Sequence, residues 1–182
     1  MDSPAAALVS ARSNEAASSI EAALLEAYEQ FAPGLLRFAR ACTHKPGAAE
    51  ESVQQAFLDL LTAWRMGEET GPPREWLFRS VRQQLAAAGR RCEQARAMAE
   101  GYERETATSA TPDLDAPMRR AEVRRRLARV SSPREFEILQ LRVEGFSYEE
   151  IAAILEIHPG TVASTLARAL RKVRQAFRED FL

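Results

Sequence analysis

Thr161, Ser164, Arg168 and Arg171 recur at spacings of three to four residues, so a helix would line them along one side, with Lys172 next to Arg171. Hydroxyls and a guanidinium so placed can hydrogen-bond to base edges, and here Ser164 and Arg168 are the candidate base readers. Arg171 and Lys172 suit phosphate oxygens. A second cationic group, Arg79, Arg82, Arg90 and Arg91 with Gln83, could hold phosphates or single-stranded DNA. A third set, Glu50, Glu51, Gln54 and Gln55, carries no such charge preference and reads as one polar side of an amphipathic helix, available to a protein partner. Catalytic chemistry finds no support: there is no phosphate-binding glycine loop and no convincing nucleophile–base pair. Cys42-Thr43-His44 lacks a second nearby Cys/His pair, so no metal site and no cofactor are expected.

The composition sets the frame for these groups. The chain has 182 residues, 46% hydrophobic and 28% charged, enough for one domain or two small ones. No apolar run could span a bilayer, and membrane insertion is not expected. Residues 1–19, rich in Ala and Ser, lack a basic start and a solid apolar core, and so read as a flexible tail rather than a signal peptide. The only cysteines, Cys42 and Cys92, suit a reducing, cytoplasmic setting. Net charge is −1, so any contact with DNA must come from local basic surface.

Helical periodicity positions the three groups, and no alternating strand pattern appears. Leu24, Leu25, Tyr28, Phe31, Leu35, Leu36 and Ala39 predict a helix with a break at Pro33-Gly34. Val53, Phe57, Leu60, Leu61 and Trp64 predict a second, and Trp76, Leu77, Val81 and Leu85 a third. Residues 100–117, poor in apolar side chains, read as a linker, and residues 118–130 as an Arg-rich helix with a solvated face. Ser132-Pro-Arg-Glu135 is a capping box with proline at the first helical position. The helix it starts should bury Phe136, Ile138, Leu139 and Val143 and end at Gly145. Ser147 and Glu150 form another capping box, with Phe146 and Ile151 as its hydrophobic staple. Pro159 ends that short helix, and Val162, Leu166, Ala169, Val173 and Phe177 form the inner face of the next. The result is a helix-turn-helix.

The order of these pieces resembles extracytoplasmic-function (ECF) RNA polymerase sigma factors of the sigma-70 family. Residues 50–64 resemble their polymerase-gripping helix, and Pro73-Arg-Glu-Trp-Leu-Phe-Arg-Ser-Val-Arg82 the start of their promoter-melting helix. Phe146-Ser-Tyr-Glu-Glu-Ile-Ala152 and Gly160-Thr-Val162 are similar to their second conserved domain. The resemblance implies an all-α fold of two small helical domains joined by a flexible linker: a tail (1–19), a region 2-like domain (20–97), a linker (98–120) and a region 4-like helix-turn-helix domain (121–182). It implies a non-enzymatic factor that is monomeric when free. Its partners would be core RNA polymerase, through Glu50, Glu51, Gln54 and Gln55, and promoter DNA. Arg79, Arg82, Gln83, Arg90 and Arg91 would serve the minus-ten element, and Thr161, Ser164, Arg168, Arg171 and Lys172 the upstream one. Regulation by an anti-sigma factor is compatible with it.

The chain departs from the family pattern at Ala48, Glu51, Gln83 and Ala87, and at Ala163, Thr165 and Ala167, where basic or bulky residues are usual. Glu156 stands where the turn usually has glycine. A stand-alone helix-turn-helix regulator explains residues 133–177 but leaves the earlier helices unused. A sigma-like adaptor that does not support initiation is the other reading, kept open by the sparse recognition helix.

Overall fold

A computed structural model describes residues 4–43, 45, 47–98, 123 and 125–178, with side-chain environments from Ser18 onward and, in the third helix, as far as Arg91. The described residues are helical, without strands. The helices are α1 (Pro4–Cys42), α2 (Ala48–Arg65), α3 (Pro73–Met98), α4 (125–130), α5 (Pro133–Val143), α6 (Tyr148–Leu155) and α7 (Pro159–Phe177). The predicted linker lies outside the described residues except for Met98, which ends α3.

Helices α1, α2 and α3 pack on one another. Their shared core holds Leu35, Phe38, Val53, Ala56, Phe57, Leu60, Leu77 and Val81, all buried. On α2 the buried positions Ala49, Val53, Ala56, Phe57, Leu60 and Ala63 follow the helical repeat, which leaves the opposite face to water. Helix α1 runs unbroken through Pro33, where the sequence predicts a break, and its span Pro4–Cys42 takes in residues of the expected tail. Proline forfeits one backbone bond and crowds the preceding turn, but buried Ala32, Leu35 and Phe38 on either side hold the helix together. Leu25 and Tyr28, expected in the core, are 60% and 52% exposed.

The second unit is built on α5, α6 and α7, around Phe136, Ile138, Leu141, Phe146, Ile151, Ile154, Val162 and Leu166. Both predicted capping boxes are present, at Ser132/Glu135 and Ser147/Glu150. Gly145 takes φ +89°, the left-handed conformation that ends α5. Val143, expected inside, is 78% exposed, because it stands two residues from buried Leu141, more than half a helical turn round, and so faces away from the core. Glu156, at the end of α6, has φ 55° and ψ 49° and is the only non-glycine residue with positive φ among the described residues. A Cβ in that conformation is crowded by the backbone, whereas glycine is not. Glu156→Gly is therefore expected to raise stability by about 1 kcal/mol in urea unfolding; a destabilised variant would contradict this.

The two units share one core. Phe146 at the start of the helix-turn-helix meets Phe78 of α3 edge-on, with ring centroids 4.8 Å apart, and Phe78 meets Phe38 of α1 at 5.4 Å. Helix α3 lies against α6, and α1 against α5.

Candidate nucleic-acid and partner interfaces

The turn between α6 and α7 fixes the presentation of α7. The Ile157 N–H donates to the Ala152 carbonyl at 3.0 Å, closing the turn. His158 then caps α7: its Nδ1 accepts from the Gly160 N–H at 3.1 Å, and Pro159 occupies the first turn, where no N–H is needed. The histidine cap was not read from the sequence, where only the Pro159-Gly160 pair marked the boundary.

Thr161, Ser164, Ala167, Arg168 and Arg171 are exposed on α7, while Val162, Leu166 and Ala169 are buried. The Ser164 hydroxyl donates to the Thr161 carbonyl at 3.2 Å and still faces solvent. Two expectations change. Thr165 is buried, so its departure from the family pattern removes nothing from the outer face. Lys172 is engaged within the unit: its side chain is 43% exposed, but its Nζ lies 2.8 Å from Oε2 of Glu135, whose side chain is 2% exposed, and ties α7 to the start of α5. Arg126 makes a related strut, its guanidinium 4.7 Å from the Phe177 ring centroid and donating to the Ala176 carbonyl. The Arg-rich face predicted for residues 118–130 is thus partly engaged at Arg126; Arg119, Arg120 and Arg124 lie outside the described residues.

Lys172 first, and then the Ser132 N–H, holds the Glu135 carboxyl below the usual glutamate range. The Ser147 N–H does the same for Glu150. A carboxyl whose folded value is depressed contributes stability that is complete above its unfolded value and is lost as pH falls through the folded one. The melting temperature should therefore fall as the solution is acidified below about pH 4.5, the ordinary value for both groups. Glu135→Gln and Glu150→Gln should each flatten that fall, and an unaltered acid profile would refute the assignment.

On α2, Glu50, Glu51, Gln54 and Gln55 are all exposed, in a stripe continued by Leu58, which is 49% exposed. Arg40 holds Glu50 through Nη2 at 2.7 Å, and Gln55 donates to Asp59 at 2.7 Å. Glu51 and Gln54 form the part of the stripe without such a partner in the described contacts. Ser52 between them is buried.

The α3 group divides. Gln83, Arg90 and Arg91 are exposed. Arg82 is not: its Nε is buried 3.5 Å from Oε1 of Glu137 on α5, an ion pair without hydrogen-bond alignment. The Arg79 Nε is buried with no hydrogen-bond partner, an arrangement that costs about 1–3 kcal/mol while it lasts. Near Arg82 and Glu137, burial first, and then the Glu137 charge, pushes the Cys42 thiol up to about 12, so it is a protonated, unreactive group. Among the described residues no three His, Cys, Asp or Glu side chains cluster to hold a metal, and no helix is long and apolar enough to cross a membrane.

A three-helix unit with an exposed polar stripe, followed by a capped helix-turn-helix, defines a two-part helical nucleic-acid-binding class. Comparison with known proteins is more specific. Residues 27–94 match the family described as sigma-70 region 2, and residues 121–173 the family described as sigma-70, region 4. The chain is 31% identical over 169 residues to the ECF RNA polymerase sigma factor SigL of Mycobacterium tuberculosis, covering 90% of this chain and 94% of that protein. It belongs to the ECF RNA polymerase sigma factor family. Its fold is similar to that of the sigma factor RpoE in complex with the anti-sigma factor NepR from Bartonella quintana, with TM-score 0.67 and 23% identity over 88% of this chain and 97% of that one. It is also similar to CnrH in complex with the cytosolic domain of CnrY, with TM-score 0.66 and 21% identity over 92% and 96% of the respective chains.

Proposed function

We propose that the chain binds core RNA polymerase and directs promoter recognition and transcription initiation. The supporting observation is the similarity to SigL across both units, which keeps the α2 stripe and the helix-turn-helix together in one chain. In this reading Glu50, Glu51, Gln54 and Gln55 face polymerase. Gln83, Arg90 and Arg91, with Arg79 and Arg82 once uncovered, serve melted minus-ten DNA. Thr161, Ser164 and Arg168 face the upstream element, with Arg171 on phosphate. Two arginines are few for a self-sufficient reader, so polymerase must supply the attachment that makes two weak DNA contacts effective. The anti-sigma complexes formed by the two structural relatives support a regulator of that kind as a further partner.

Co-elution of the purified chain with core polymerase tests the reading. Glu51→Ala with Gln54→Ala should weaken binding about tenfold, equivalent to ~1.4 kcal/mol, with the melting temperature unchanged. Unchanged affinity would remove the α2 stripe from the proposal, and failure of the parent chain to associate would remove polymerase binding altogether.

A further inference from the structure

Helix α5 and the turn after it carry carboxylates into the cationic side of the first unit. Glu144, whose side chain is 9% exposed, takes a bidentate grip from Arg37 of α1, with Nε to Oε1 at 3.1 Å and Nη2 to Oε2 at 2.7 Å. Arg74 of α3 donates to the Glu144 carbonyl and lies 3.8 Å from the Phe146 ring centroid. Glu137 faces Arg82. Gly34 allows this approach, since a Cβ there would stand 2.9 Å from Oε2 of Glu144. Two carboxylates and a backbone carbonyl thus occupy three arginines, the chemistry with which a nucleic-acid backbone would occupy them.

We propose that α5 and its C-terminal turn form an intramolecular competitor for single-stranded DNA, with Glu137 and Glu144 standing in for phosphates at Arg82, Arg74 and Arg37. The inference rests on the minus-ten reading of α3 and adds Arg37 and Arg74 to that surface. Separation of the two units uncovers the arginine row. Phe146 and Phe78 join the two units in one core, but around them the contact is rimmed by these ion pairs, and a cleft of about 520 Å³ remains between Phe31, Gly34 and Arg37 of α1, Arg74 and Phe78 of α3, and Glu144. Its ion pairs reach solvent at Arg37, and such pairs contribute little individually.

The test uses the full chain without polymerase, so it can fail independently of the initiation reading. Gly34→Leu places an uncharged wedge against Glu144 on a helix that leucine favours over glycine. Its solution-scattering radius should exceed the parent's, and its affinity for a fluorescein-labelled, randomised single-stranded oligonucleotide should rise roughly tenfold, if about nine-tenths of the parent chains are closed. Glu144→Arg should expand the chain similarly and bind more tightly than Glu68→Arg, which makes the same charge change on an exposed loop. Arg37→Glu combined with Glu144→Arg should restore compactness. Expansion by the wedge without tighter binding would overturn the competition, and wedge and charge-reversal variants that both stay compact would overturn the latch.

Discussion

Phe146→Ala is expected to cost about 3–5 kcal/mol in equilibrium urea unfolding at neutral pH. No part of the Phe146 side chain reaches solvent. It serves as the N-terminal half of the staple on α6, packs edge-on against Phe78 at 4.8 Å, and lies under the Arg74 guanidinium. Truncation leaves a cavity at the junction of both units and removes a ring pair worth about 0.5–1.5 kcal/mol beyond its area. A domain of this size typically has only about 5–15 kcal/mol to lose. Because the same side chain belongs to both units, unfolding of the variant should also separate into two transitions. A loss below about 1 kcal/mol, beneath the usual range for a large core side chain, would mean that Phe146 is not packed as described.

Lys172→Met is expected to cost about 1.5–3 kcal/mol, the range for a hydrogen bond to a charged group. The reason lies at its partner: Glu135 keeps its charge in a site 2% exposed and loses its cationic donor, with Ser132 left to hold it. The penalty belongs to the abandoned carboxylate, so Glu135→Gln with Lys172→Met should lose less than the sum of the two single changes. The Lys172→Met penalty should also shrink in acid, where Glu135 takes a proton. Additive losses in that cycle would show that the pair is not coupled.

What the sequence made legible was chemistry that acts over a few residues. Ser132 with Glu135, Ser147 with Glu150, Phe146 with Ile151, and Gly145 all work within one turn of chain, so the helix-turn-helix and its caps could be read directly. The buried face of α2 was equally legible, since an amphipathic repeat carries its own orientation. Contacts between distant segments were not. Arg37 and Glu144 are 107 residues apart, and Glu135 and Lys172 37 apart. Lys172 has the same residue type whether it meets phosphate or a buried carboxylate. Pro33 misled for a related reason: its local penalty was visible, and the packing that overrides it was not. Thr165 could have been placed correctly, since it stands three residues from Val162 and four from Ala169, both inner-face positions.

The α2 stripe and the helix-turn-helix acquire a common purpose only if polymerase holds both units, and promoter-dependent run-off transcription tests that most directly. The purified chain is mixed with core polymerase and a library of templates carrying randomised promoter elements. The expected result is discrete run-off products from a subset of templates, dependent on the chain and reduced by Glu51→Ala with Gln54→Ala. Holoenzyme that forms and yields no chain-dependent product from any template would contradict the initiation role and leave an adaptor.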